Sequence, residues 1–233
     1  MITLLGVGHV FDLQRSVRAQ IHARRPRVVA LELDAGRYAF LLNRSRRRPR
    51  PSLFGLLARF QSRLAQEYGV QVGDEMVAAA KAAGEIGSEV ALIDRDSRVT
   101  LQRAWQGMSF QERVRLLTSV VASLLVRRKR VEAELDRFYE DERAYIEQFA
   151  AELPTVKRVL IDERDALMAE ALRSLHGSRG DVVAVVGDGH VEGLRRLLAG
   201  LPVEVVRLKE MQRVSPAAAA SGTAASVSVT YRL

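Results

Sequence analysis

The sequence predicts one α/β domain: a central, mostly parallel β-sheet flanked by helices, with a large helical insertion between its third and fourth strands. Three observations predict it. Short apolar runs alternate with helical stretches along the chain. The first strand–helix–strand unit has short connections, which favour a parallel pair. From Thr100 to about Leu175 the pattern is almost wholly helical, with no strand inside it. A hydrophobic fraction of 48% over 233 residues is enough for a sizeable core.

The elements follow in order. Ile2 to Leu5 is a short apolar strand that stops at Gly6-Val7-Gly8-His9, and a helical pattern runs from about Val10 to Arg24. Pro26 breaks it, because proline lacks an N–H and fixes φ. Val28 to Leu31 is a second strand, ending at Glu32. Residues 37 to 70 read as helical, interrupted by an exposed arginine-rich loop from Asn43 to Pro51. Gly73-Asp74 opens an alanine-rich helix from about Glu75 to Ile86, and Val90 to Ile93 is a third strand ending at Asp94-Arg95-Asp96. The insertion, about residues 100 to 175, breaks at Gly107-Met108-Ser109, where Ser109 is the expected N-cap, and at Pro154. Val182 to Val186 is the fourth strand. It ends at Gly187-Asp188-Gly189-His190, a helix to about Ala199 follows, and Val203 to Leu208 is the fifth strand. The domain is expected to close near residue 210. Residues 211 to 233 read as a linker, with the small-residue tract Ser215 to Ala225, and a C-terminal strand or tail.

Composition removes several functions. There is no cysteine, which excludes disulfides, a thiolate zinc site and a cysteine nucleophile. Any metal must be held by imidazole and carboxylate. The net charge is +8 although Asp and Glu number 28. The loop carrying Arg44, Arg46, Arg47, Arg48 and Arg50 has no interleaved aromatics and no nucleic-acid motif, so it reads as a solvated loop and nucleic acid is not the expected partner. No run reaches the ~18 apolar residues of a membrane helix, and Met1 leads straight into a strand, so no signal peptide is expected. The expected location is cytoplasmic, with any membrane association made without a spanning segment. A homo-oligomer is compatible with everything above.

One near-duplicate carries the chemistry. Leu5-Gly6-Val7-Gly8-His9-Val10 and Val186-Gly187-Asp188-Gly189-His190-Val191 share one layout: an apolar strand, a Gly-x-Gly turn, a histidine, then a helix. Glycines there permit tight turns and close backbone approach by a ligand, which makes Gly8 and Gly189 candidate substrate contacts. Neither turn completes the dinucleotide fingerprint. In a parallel sheet His9, Glu32, Asp94 and His190 all open onto the carboxyl rim, where such sheets bind ligands. Two imidazoles and a carboxylate suit a divalent cation with positions left for water. Arg164 stands on the apolar face marked by Leu160, Leu167, Met168, Ala171, Leu172 and Leu175. An inward guanidinium needs an acidic partner or an anionic ligand.

The segments GVGHV (6–10), ELDAGR (32–37), GDEM (73–76), DRD (94–96) followed by Thr100, ERD (163–165) with Met168, and VVGDGHVEG (185–193) together resemble the TraB/PrgY, or pheromone-shutdown, family. That family is grouped with the Tiki proteases. The resemblance implies a fold like that of the erythromycin esterases and the haem-binding ChaN group. In the Tiki branch, paired Gly-x-x-His motifs and a glutamate are associated with metal-dependent peptide hydrolysis. Carried over, it implies metal ligands His9, Glu32, His190 and Glu75 for a divalent Mn, Co or Zn ion, catalytic roles for Glu32, Arg37, Arg95 and Arg164, and a substrate contact at Asp94. The first turn carries Val7-Gly8 where many relatives have a threonine before the histidine. The expected activity is metal-dependent hydrolysis of peptides. The alternative is a module that binds or sequesters a peptide without cleaving it.

Overall fold

The computed structural model describes residues 1–8, 12–43, 73–125 and 151–214. Five strands, β1 (Ile2–Val7), β2 (Val28–Leu31), β3 (Glu89–Leu92), β4 (Val182–Gly187) and β5 (Val203–Val206), form one sheet in the order β3-β2-β4-β1-β5. Every strand pair in it is parallel. The α/β architecture expected from the sequence is the one observed.

Parallel strands need crossovers, and helices supply them. α1 (Gln14–Arg24) links β1 to β2. α2 (Ala35–Leu42) follows β2, and α3 (Asp74–Ile86) leads into β3. Between β3 and β4 lie α4 (Ser97–Gly107), α5 (Phe110–Leu125), α6 (Pro154–Lys157), a π-turn (Arg158–Asp162) and α7 (Glu163–Arg179). α8 (Asp188–Leu197) joins β4 to β5, and α9 (Leu208–Val214) ends the described chain.

The central strands are buried on both faces, and the two-residue period of a strand sorts their side chains. Leu5, Val7, Val183 and Val185 point to one face, where Val17 and Ile21 of α1 and Ala79 and Ala83 of α3 cover them. Ile2, Leu4, Ala184 and Val186 point to the other, under Met168 and Leu172 of α7 and Val191 and Leu194 of α8. An apolar strand run is therefore one strand feeding two cores.

This arrangement fixes where a ligand can enter. β1 and β4 are neighbours, yet β1 leaves through α1 toward β2 while β4 leaves through α8 toward β5. The two connections cover opposite faces, so their shared carboxyl end is a topological switch point, the usual crevice of an open α/β sheet.

Three details depart from the expected elements. β1 extends past Leu5 because Gly6 and Val7 pair with Val186 and Gly187. β5 stops at Val206 rather than Leu208, and α9 begins at once, burying Met211 completely. Leu167, expected on the inner face of α7, is 40% exposed; the buried face is Asp165, Met168, Ala169 and Leu172. The arginine loop of residues 44–50 and the tail of 215–233 lie outside the described residues.

Candidate functional site

Glu32 follows β2 and Gly187 ends β4, so the sheet brings a carboxylate to the start of α8. The Gly187 N–H donates to Glu32 Oε2 at 2.6 Å. Glu32 is only 6% exposed, and a buried carboxylate must be paired. Its other oxygen accepts from Arg164 Nη2 and lies 3.4 Å from His190 Nε2.

Arg164 reaches in from the first turn of α7. Its Nε and Nη2 donate to Asp94 Oδ1 and Oδ2 at 3.1 and 2.8 Å, a two-pronged carboxylate contact, and its Nη1 donates to the Leu160 carbonyl at 3.0 Å. The inward guanidinium therefore has acidic partners, Glu32 and Asp94. Arg37 closes the outer side: Nε donates to Asp34 Oδ2 at 2.9 Å, and Nη2 to the Glu32 carbonyl and to Asp94 Oδ2, both at 2.7 Å. Asp34 also caps α2 by accepting from the Arg37 N–H at 2.9 Å.

His190 sits in the first turn of α8, and a second carboxylate orients it. Nδ1 lies 2.6 Å from Asp165 Oδ1, which directs Nε2 at Glu32 Oε1 and at Arg164 Nη1, 3.1 Å away. Burial works against an imidazolium here, yet the hydrogen bonds to Asp165 and Glu32 outweigh it and raise the His190 pKa to about 9. Burial pushes Asp165 upward, with the His190 hydrogen bond opposing it. The proton of this pair belongs on the imidazole, because Glu32 as well as Asp165 faces the ring. Burial likewise opposes the Glu32 charge, but His190, Arg164 and the Gly187 N–H together hold its carboxyl far below the usual range. Arg164 is shifted up, its burial overcome by Asp94 and Glu32.

Glu32, Arg37, Asp94, Arg164 and His190 thus form one network. Arg95 is directed elsewhere, to Thr100 Oγ1, Glu163 Oε2 and the Val159 carbonyl. Gly8 stands just past β1, and His9 lies outside the described residues. Glu75 is buried in the first turn of α3.

The second Gly-x-Gly is not a turn. α8 starts at Asp188, so Gly189 and His190 are already helical, and the motif is offset by one residue from its counterpart, with Val7 rather than Gly6 facing Gly187. The glycines make room for side chains of the same chain instead. A Cβ on Gly6 would stand 2.0 Å from Asp188 Oδ1, and one on Gly193 would stand 1.8 Å from Asp165 Oδ2.

Two residues with clear roles here carried no assignment from the sequence. Asp165 read as a first-turn acid, although it stands three, four and seven residues before Met168, Ala169 and Leu172, in phase with the buried face. Asp188, which accepts from Arg207 Nε at 3.0 Å, from Arg207 Nη2 at 2.6 Å and from the Leu208 N–H at 2.9 Å, gave no signal at all.

Among the described residues no three His, Asp or Glu groups are placed to hold a metal, and His9, one of the expected ligands, lies outside them. Both Glu32 oxygens are engaged, and the Arg164 guanidinium already sits between Glu32, Asp94 and His190. A dication at that point would meet a fixed positive charge.

Fold and site together define a parallel α/β protein with a charged, histidine-bearing crevice at the switch point of its sheet. The chain belongs to the TraB/PrgY/gumN family, whose profile matches residues 1–202. An uncharacterised protein of Methanocaldococcus jannaschii is 28% identical over 232 residues, covering 91% of this chain and 58% of its own length. The chain therefore spans less than two thirds of that relative. A solved structure titled for cofacial heme binding to ChaN of Campylobacter jejuni aligns with 88% of this chain and 80% of its own, at 13% identity and a TM-score of 0.39. A likeness of that degree carries no argument about ligand. Among the described residues, no helix is long and apolar enough to cross a membrane.

Proposed function

We propose that the crevice is a hydrolytic centre that cleaves an amide bond of a peptide, with His190 as the proton donor. The observation that carries this reading is the buried Asp165–His190–Glu32 line at the switch point. One carboxylate fixes Nδ1 at 2.6 Å, and the other faces Nε2 at 3.4 Å. A buried imidazole held protonated between two carboxylates is a general acid. Water would add to the carbonyl carbon; as the C–N bond of the adduct breaks, His190 would pass its Nε2 proton to the leaving nitrogen, and the neutral imidazole would take up the proton that the water gives up. Glu32 is held too strongly ionised to be an effective base; its part is to keep the proton on His190. Arg37, 36% exposed at the outer side of the network, would meet the developing oxyanion.

The finer expectation, a divalent Mn, Co or Zn ion, would require Arg164 to leave Glu32, and no step above is routed through a metal. The test is peptide hydrolysis by untagged protein with and without chelator, alongside elemental analysis. Turnover should survive chelation, and His190→Ala and Glu32→Gln should each lower it by about 10²–10⁴-fold. One equivalent of metal per chain, lost together with activity in His190→Ala, would replace this reading with the metal-dependent one.

The mutual pairing of Arg164, Asp94 and Glu32 favours one second reading, a module that binds a peptide through Arg37 without cleaving it. Peptide recovered intact after prolonged incubation, with affinity reduced in Arg37→Ala, would establish it.

A further inference from the structure

Outside the crevice, three guanidinium groups converge on a single carboxylate. Arg95 Nη1 and Arg103 Nε donate to Glu163 Oε2 at 3.0 and 3.1 Å, and Arg158 Nη1 donates to Oε1 at 3.2 Å. The three come from separate segments: the loop after β3, α4 and the start of the π-turn. Three cations against one anion leave a surplus of two positive charges. Nearby acids do not cancel it. Asp162 pairs with Lys157 Nζ at 2.6 Å, and Asp96, which keeps its charge while capping α4 through the Arg98 N–H at 2.7 Å, pairs with none of the three arginines. Among the described residues Arg103 and Arg158 have no other carboxylate.

The exposure pattern gives the cluster a direction. Arg95 and Glu163 are mostly covered, at 18% and 20%, whereas Arg103 and Arg158 are 53% and 57% exposed. Arg95 has each of its three guanidinium nitrogens engaged, on Thr100, Glu163 and Val159. Arg103 and Arg158 each place one nitrogen on Glu163 and are more than half exposed, so the carboxylate anchors two guanidinium groups that remain accessible from solvent. Guanidinium forks held in this way match the geometry of an oxyanion.

The cluster also adjoins the crevice. Asp94 pairs with Arg164 inside it, and Arg95 pairs with Glu163, so the two pairs are successive rungs between the same two segments.

We propose that Arg103 and Arg158, anchored on Glu163, form an anion subsite beside the crevice that takes a carboxylate of a bound peptide, an acidic side chain or a free C-terminus. This rests on the peptide reading above and narrows it to acidic substrates. The test measures binding of N-acetylglutamate, and separately of inorganic phosphate, to the full chain by calorimetry. The proteins are wild type, Arg103→Ala/Arg158→Ala and Arg195→Ala. Both arginines are more than half exposed, so their removal opens no cavity; Arg195, paired with Glu192 on α8, controls for general surface charge. The double variant should bind N-acetylglutamate at least about tenfold more weakly, as loss of charged hydrogen bonds implies. Arg195→Ala should bind it as wild type does. No binding by wild type, equal binding by the double variant, or an equal loss in Arg195→Ala would overturn the subsite. A tenfold preference for phosphate would overturn the carboxylate assignment. Retained binding in a protein that hydrolyses no peptide would support the subsite while removing the hydrolase.

Discussion

At position 193 a methyl group is too much. The Asp165 carboxylate that orients His190 fills the space where a side chain would begin, 1.8 Å from a built Cβ. Gly193→Ala must therefore push Asp165 away, an overpacking cost of about 1–3 kcal/mol that denaturant melts would read. The same change should lower the His190 pKa, which NMR titration of the imidazole would follow. Both histidine motifs were legible in the sequence, but the reason for their glycines was not. Spacing alone suggested turns open to a ligand, whereas at Gly6 of the first motif the space is taken by Asp188, as Asp165 takes it at Gly193 beyond the second. Such packing depends on residues about 30 and 180 positions away, beyond the reach of any local pattern.

Among the elements, the insertion shows what local chemistry can and cannot announce. Ser109 was expected to cap a helix, and it does: its Oγ accepts from the Glu112 N–H at 3.2 Å while Glu112 Oε2 accepts from the Ser109 N–H at 2.9 Å. The remaining Glu112 oxygen takes the Thr155 N–H at 2.8 Å, tying the start of α5 to the start of α6. Ser109→Ala should cost about 1 kcal/mol of stability, and urea unfolding would measure it. The π-turn was not legible, since nothing in Arg158 to Asp162 departs from ordinary helical composition. Its wider winding goes with carbonyls at Val159 and Leu160 that accept from Arg95 and Arg164. Placement of those two arginines is therefore a tertiary outcome. The resemblance drawn from short motifs named both as site residues, but only Arg164 turns into the crevice.

For the molecule as a whole, the buried charges set how stability follows pH. The folded His190 pKa, about 9, lies above its ordinary 6.5, so its contribution is complete below 6.5 and lost as pH rises through 9. Glu32 acts in the opposite sense: held down from 4.5, its contribution is present above that value and fades in acid. Stability from this pair should peak between these limits. His190→Gln should abolish the alkaline slope in urea midpoints collected from pH 5 to 10. The five strands could be read from the sequence because each is an apolar run. Their order could not, because β4 inserts between β1 and β2 from more than 150 residues downstream.

Glu163, Arg164 and Asp165 are consecutive, and a helix points successive side chains about 100° apart. One reaches the outer arginines, the next Asp94 and Glu32, the third the histidine. This single turn is therefore a hub with three spokes, and rotating it would disengage all of them together. Graded damage there should be rare: variants that twist the start of α7 should lose the contacts to the outer arginines, to Asp94 and Glu32, and to His190 in one step.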